Sequence, residues 1–378
     1  MTPNPIVIAG GAIMGSAVAA HLAALGVGPV VVVEPDPTLK RAATALSASG
    51  LRQQFSNPLN IRISAHAVTT IRRLGLTFHE QGYLRLAATP AQAARLRADH
   101  AVQTAEGAAV ALLEPGALAA RFPGLETGDL ALGALGLRDE GWFDGMGLLA
   151  AYRAQAPGAI RLRDAVAGLD LQGDRVAAVR LAGGETLPCA AFVNAAGGAS
   201  AEIAAMAGLA LPVERRKRTV FAFRAADPPP GPLPLVIEPN GVWWRPEGAG
   251  FIAGCVPDPD GAVAPDDFEP RHQDWEGIVW PTLAARARGF EALKLTGFWA
   301  GHYDMNTLDA NAVLGPHPRV ANFLFANGFS GHGLQQAPAV GRGLAEWLAF
   351  GAYRSLDLAP LGHGRIGASS AFSEQAII

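Results

Sequence analysis

Short apolar runs alternate with alanine-rich and amphipathic stretches along this chain, and the first alternation is the most regular. Ile6-Val7-Ile8-Ala9 is apolar throughout, as a strand buried on both faces must be. It runs into Gly10-Gly11-Ala12-Ile13-Met14-Gly15, then into an alanine-rich helical stretch, then into Val30-Val31-Val32-Val33 closed by Glu34. This strand–turn–helix–strand order predicts a βαβ unit that holds a dinucleotide. Gly10 supplies the tight turn, and Gly15 lets helix lie close on strand. The helix N-terminus, at Ala12, Ile13 and Met14, offers free N–H groups to a pyrophosphate. Glu34 ends the second strand where a carboxylate can take the ribose hydroxyls. Ala12 replaces the middle glycine of the usual fingerprint.

The pattern predicts helices over 58–74, 90–106, 114–122, 148–155 and 275–289, and a last one from Gly333 to about Phe350. Strands are expected at Tyr83–Ala87, Arg218–Arg224, Gly241–Arg245, Gly250–Cys255, Leu295–Tyr303 and Phe323–Ala326. Two more, Ala165–Gln172 and Arg175–Leu181, flank Gly173-Asp174, a hairpin signal. Thr44–Phe55 reads as a loop of small residues. The Gly/Ser-rich tail from Gly362 is expected to be loosely ordered or docked on a neighbour.

The 378 residues are too many for one small core, so two domains are expected. A net charge of −3 gives no nucleic-acid footprint. Two cysteines, Cys189 and Cys255, make no disulfide framework, and no C-x-x-C occurs. The opening residues carry no charged secretory signal, and glycines interrupt the apolar stretch from Pro5 to Val33. A cytoplasmic protein without an integral membrane segment is the expectation.

Three later segments favour FAD over NAD. Asn194-Ala195-Ala196-Gly197 follows a buried strand and sets a second backbone loop against the cofactor. Gly328-Phe329-Ser330-Gly331-His332-Gly333 precedes a helix and sets a third. The early loop, with Ser47, Ser49, Gly50 and Arg52, can cover the phosphates and the ring. Turns this far apart in sequence require a long, extended ligand.

These residues resemble the FAD-dependent amine oxidoreductases of the D-amino-acid-oxidase-like superfamily, which includes sarcosine oxidase, dimethylglycine dehydrogenase and glycine oxidase. The resemblance rests on G-G-A-I-M-G at 10–15, V-N-A-A-G at 193–197, G-V-W-W-R-P at 241–246 and N-G-F-S-G-H-G-L-Q-Q-A-P at 327–338. N-T-L-D at 306–309 and G-P-H-P at 315–318 look closest to the branch of FAD-dependent oxidoreductase domain-containing proteins. It implies an α/β (α+β) fold: a discontinuous Rossmann-type FAD domain (1–80, 144–212, 309–365), a substrate domain on a mixed antiparallel sheet (81–143, 213–308), and a tail (366–378). It also adds Val166, Leu334 and Gln335 to the cofactor-binding set.

The implied reaction is hydride transfer from the carbon beside an amine nitrogen to flavin N5, giving an imine that water hydrolyses. The helix beginning at Gly331-His332-Gly333-Leu334 would stabilise the reduced flavin through its N–H groups. Arg52 is the candidate for a substrate carboxylate, with a phosphate or loop contact as the alternative. Trp243, Trp244 and Arg245 lie on the expected roof strand, where alternation sends one tryptophan to the pocket and the other into the sheet backing. His302 falls where monomeric sarcosine oxidases carry their flavin-linking cysteine; non-covalent FAD is expected, with His302 or Tyr303 assisting substrate deprotonation or His302 serving as a satisfied core histidine.

Departures matter too. Gln335 stands for a lysine of the sarcosine oxidases, Ile252 for the lysine implicated in oxygen reduction, and Ala199 for an aromatic. Tyr303 stands where glycine oxidase has its carboxylate-binding arginine. The electron acceptor is thus oxygen or, favoured here, another redox partner. Two rivals remain open: an assembly or chaperone-like protein with structural FAD, and an NAD-dependent enzyme.

Overall fold

The computed structural model describes residues 3–368 and 370–376. The elements that position the site are β1 (Ile6–Ala9), α1 (Ile13–Ala24), β2 (Val30–Val33), α2 (Pro58–Arg73), β3 (Ile160–Leu162) and β4 (Ala191–Asn194). After them come β5 (Val213–Ala225), β6 (Trp243–Glu247), β7 (Leu293–Asn306), β8 (Phe323–Asn327) and α3 (Gly333–Phe350).

A parallel run β8-β4-β1-β2-β3 forms most of a six-stranded sheet, which Val313–Pro316 extends antiparallel on the β8 edge. Alternation divides its apolar side chains between two cores. Ile6, Ile8, Val30 and Val32 face α1, α2 and α3, whereas Val7, Ala9, Val31 and Val33 face Ile203, Val179 and Leu181 on the other side. Burial on both faces explains why these strands read as unbroken apolar runs. α1 and α3 approach so closely that a Cβ on Gly341 would stand 2.6 Å from that of Ala17.

The second sheet has eight strands, ordered β7, β5, Gly250–Gly254, β6, Leu235–Ile237, Tyr83–Ala87, Leu132–Gly136 and Val110–Leu113. All neighbours are antiparallel except Leu235–Ile237 with Tyr83–Ala87, so the sheet is mixed. Its outer face packs Phe221, Phe223, Trp244 and Phe251 against Val279, Leu283 and Phe290. Strand β7 is longer than expected and reaches Asn306, pairing Tyr303 with Arg216 and His302 with Lys217.

The predicted helix over 275–289 is interrupted. Trp275–Val279 forms a π turn ahead of an α segment, Trp280–Arg286. Pro281 lacks an N–H and its ring crowds the carbonyl four residues back, and a widened turn relieves both conflicts. The expected loop at 44–55 holds a helical turn, Ala43–Leu46, and a short strand, Gly50–Leu51. The tail departs from expectation as well: Glu374 and Ala376 are buried against the chain's own body. Both cysteines are free and buried, and among the described residues no helix is long and apolar enough to cross a membrane.

Candidate active site

Between the two sheets lies a cavity of about 490 Å³ that runs from Glu34 and Asp36 at one end to Tyr303 and Gln335 at the other. Three turns line it. In the first, Gly10 has φ +103°, and a Cβ there would strike the Ala195 carbonyl. A Cβ on Gly15 would collide with the Gly10 carbonyl, so glycine is required at both positions. Gly11 N–H donates to Glu34 Oε2 at 2.8 Å and Asp36 N–H to Oε1 at 2.9 Å. This fixes the carboxylate at the end of β2. Ala12 is the N-cap of α1 and supplies no side-chain acceptor; Ile13 N–H donates to Thr44 Oγ1 at 3.3 Å, and the Met14 and Gly15 N–H groups are left to meet an anion.

The second turn, Ala195–Gly197, is tied down by buried Asn194, whose Nδ2 donates to the Ser200 carbonyl at 2.9 Å. The third leads into α3. Gly331 has φ +91°, and a Cβ would enter the Tyr303 ring. His332 is the N-cap, again without a side-chain cap bond, so a second open helix N-terminus faces the cavity through Gly333, Leu334 and Gln335.

Arg52 sits beside that terminus. It is 2 % exposed, its main-chain N–H donates to Gln335 Oε1 at 2.9 Å, and its guanidinium lies 4.6 Å from the centre of the Phe55 ring. Nη2 donates to His332 Nε2 at 2.9 Å and to the Ala376 carbonyl. A guanidinium only donates, so His332 Nε2 is the acceptor and its proton is on Nδ1. Burial, reinforced by the Arg52 charge, holds His332 far below the usual histidine range, so it is neutral. Nη1 of Arg52 is buried and has no partner among the described residues.

Trp243, Tyr83, Arg218, His302 and Tyr303 form the roof side of the cavity. Arg218 pairs bidentately with Asp260 at 2.7 and 2.9 Å and lies over the Tyr303 ring. His302 is stacked on Phe268, and its Nε2 donates to the Asp267 carbonyl at 2.6 Å, which leaves Nδ1 as its free acceptor. Burial lowers its pKa. Burial also raises the Tyr303 phenol and pushes Asp304 up to about 6.

Six sequence candidates stand outside the cavity lining. Gly15 packs behind the first turn. Trp244 is fully buried on the far face of β6, where strand alternation places it, and its indole N–H donates to Glu238. Arg245 is drawn to Glu247 and the Ala48 carbonyl and lies over Trp142, so it pins the loop carrying Ser47 and Ser49. Val166 packs against the hairpin-side core. Gly328 N–H donates to Asp304 Oδ2, and Ser330 Oγ accepts from Asn306 N–H, so both brace the third turn from behind.

Sequence reasoning missed Tyr83, Arg218 and Glu140. Glu140 is buried behind Arg52 and accepts from Gln53 N–H at 2.6 Å, Gln54 N–H at 3.0 Å and Gln54 Nε2 at 2.8 Å. Its position, distant in sequence and in no motif, carried no signal.

Glycines that a Cβ would block, two helix ends whose N-cap residues give no side-chain cap, and a fixed carboxylate at the far end of one elongated cavity fit an extended dinucleotide. Beneath a mixed antiparallel roof, this arrangement defines a flavoprotein oxidoreductase. Residues 5–347 match the family model "FAD dependent oxidoreductase" (DAO), and the chain belongs to that family, with FAD as its cofactor. It is 38% identical over 406 residues to bovine (Bos taurus) FAD-dependent oxidoreductase domain-containing protein 1, covering 94% of this chain and 83% of that one. Its fold is similar to L-proline dehydrogenase from P. horikoshii, with a TM-score of 0.87, 24% identity, and coverage of 97% and 99% of the two chains. It is also similar to glycine oxidase from Geobacillus kaustophilus, with a TM-score of 0.79, 22% identity, and coverage of 95% and 98%.

Proposed function

We propose that the protein oxidises the C–N bond of a small amino acid or N-alkyl amino acid whose carboxylate is held by Arg52. The observation that carries this reading is the buried Nη1 of Arg52, without a partner among the described residues, beside the N-terminus of α3. A dry guanidinium with a free donor binds a carboxylate through charge-assisted hydrogen bonds. The solved structures of similar fold include enzymes named for proline and glycine, which supports a substrate of this size.

FAD, when bound, supplies the two-electron acceptor for a C–H bond beside the amine nitrogen. The chain's own residues do the rest. Trp243, Tyr83 and Tyr303 wall the cavity and exclude water. The N-terminus of α3 supplies N–H groups and a positive field at that end of the cavity. Arg52 adds positive charge, which disfavours an ammonium and so favours the neutral amine needed for oxidation, whereas the Arg218 charge is taken up by Asp260. His302 lines the cavity, and its Nδ1 is a free imidazole acceptor suited to take a proton from the amine. Its Nε2 donates to the Asp267 carbonyl, which fixes the ring; the FAD is taken as non-covalent. Ile252, where a lysine would assist oxygen, favours an acceptor other than oxygen.

Anaerobic titration of the purified holoprotein with proline, sarcosine, dimethylglycine, glycine and D-amino acids tests this. Bleaching of the flavin by a carboxylate-bearing amine supports the proposal, and silence across the panel overturns it. Slow recolouring in air after bleaching supports the acceptor assignment; rapid recolouring refutes it.

A further inference from the structure

The segment Phe372–Ala376 is bound along the chain's own surface by a continuous set of hydrogen bonds. Phe372 N–H donates to Asp309 Oδ2 at 3.0 Å, and its carbonyl accepts from Asn311 Nδ2 at 2.9 Å. Glu374 N–H donates to the Asp309 carbonyl at 3.1 Å. Asp309 is itself fixed by Arg365 at 2.7 Å.

Glu374 is buried at the start of α2. Its carboxylate accepts from Ser56 N–H at 2.9 Å, Ser56 Oγ at 2.7 Å, Asn57 N–H at 3.2 Å and Asn60 Nδ2 at 2.9 Å. Burial raises its pKa, but the bonds from Asn60 and Ser56 outweigh that, and the group stays ionised. Two residues on, the fully buried Ala376 presents its carbonyl to Arg52 Nη2.

The chemistry of that contact is specific. A buried guanidinium needs acceptors, and a carboxylate at this position would orient Arg52 but cancel its charge. Arg52 Nη2 instead meets a neutral imidazole and a peptide carbonyl. Both orient the fork, and neither neutralises it by direct contact, although Glu374 and Glu140 act on its charge at longer range, and Nη1 has no partner among the described residues. An arginine that must bind an anion requires this combination of fixed direction and a fork with no carboxylate in direct contact.

We propose that residues 374–376 form a strap that completes the substrate site, with the Ala376 carbonyl positioning Arg52 for a substrate carboxylate and Glu374 anchoring the strap. This rests on the carboxylate-binding reading of Arg52.

The test compares the holoprotein with a chain ending at Glu374 and with Glu374→Gln. Each is titrated with pyrrole-2-carboxylate and with the neutral pyrrole-2-carboxamide, following the flavin absorbance band. The strap predicts a loss of carboxylate affinity of about tenfold in the shortened chain, with amide affinity, flavin content and melting temperature held. Glu374→Gln loses carboxylate affinity in the same direction, and it decides the matter if the shortened chain does not fold. Equal carboxylate affinity with and without the strap overturns the proposal. So does equal weakening of acid and amide, which marks a merely structural role. If the unaltered holoprotein shows no response to the carboxylate, Arg52 does not bind such groups, and both readings fall together.

Discussion

Arg52 and Gln335, 283 residues apart, are joined by a hydrogen bond from the arginine main-chain N–H to the glutamine Oε1 at 2.9 Å. The bond ties the loop that carries the cationic side chain to the first turn of α3. The arginine and the helix N-terminus therefore form one rigid unit, and displacing either shifts the other.

Arg52→Ala removes the charged donors while leaving the cofactor cradle intact. We expect KM for a carboxylate substrate to rise about a hundredfold, with flavin content unchanged. Steady-state kinetics on the holoprotein, with the flavin-to-protein absorbance ratio as control, give the result; an unaltered KM would refute the assignment. Gln335→Ala should raise KM in the same sense but less, about three- to tenfold, because only the loop's tether is lost.

Gly15→Leu places a branched side chain where even a Cβ meets the Gly10 carbonyl. Helix α1 cannot then lie on β1, and the first turn opens. The expected outcome is colourless or insoluble protein, scored by the yield of flavin-loaded protein. A stable, fully yellow variant contradicts this placement of the turn.

Burial pushes the Glu140 carboxyl up to about 7, against the hydrogen bonds from Gln54 and Gln53, compared with 4.5 for the free side chain. The folded chain therefore holds this proton more tightly than the unfolded chain does. Its contribution to stability is complete below the unfolded pKa and is lost as pH rises through the folded value. Chemical denaturation at about pH 5 and about pH 8 should show stability falling with pH in the unaltered chain. The fall should be smaller in Glu140→Gln. A glutamine can keep the Oε1 contacts to Gln53 and Gln54, so the fold should survive. An identical fall in both proteins would show that Glu140 titrates normally.

If the FAD is held without a covalent bond, as proposed, it should leave on denaturation. Acid precipitation should release all of the yellow colour into the supernatant. Colour retained in the pellet would indicate a covalent bond.

The βαβ unit was legible because its strands are buried on both faces and so lack polar interruptions. The tryptophan pair was legible as a pair: period-two alternation demands that Trp243 and Trp244 part, and they do. Alternation alone could not say which way Arg245 would turn, since its guanidinium follows acceptors at Ala48 and Glu247 supplied by folding. Glu140 and Glu374 were invisible for the same reason. Each acts through a partner brought from far along the chain, and no spacing in the sequence records such a pairing. The break at Trp275–Val279 was written in Pro281, but an apolar periodicity read across the proline concealed it.

The three turns around the cavity lie at opposite ends and the middle of the polypeptide. During synthesis the first two leave the ribosome well before the third, so a nascent chain carries only part of the grip. Flavin capture must therefore be a late event in maturation, and any premature stop before Gly328 should yield a product that never turns yellow.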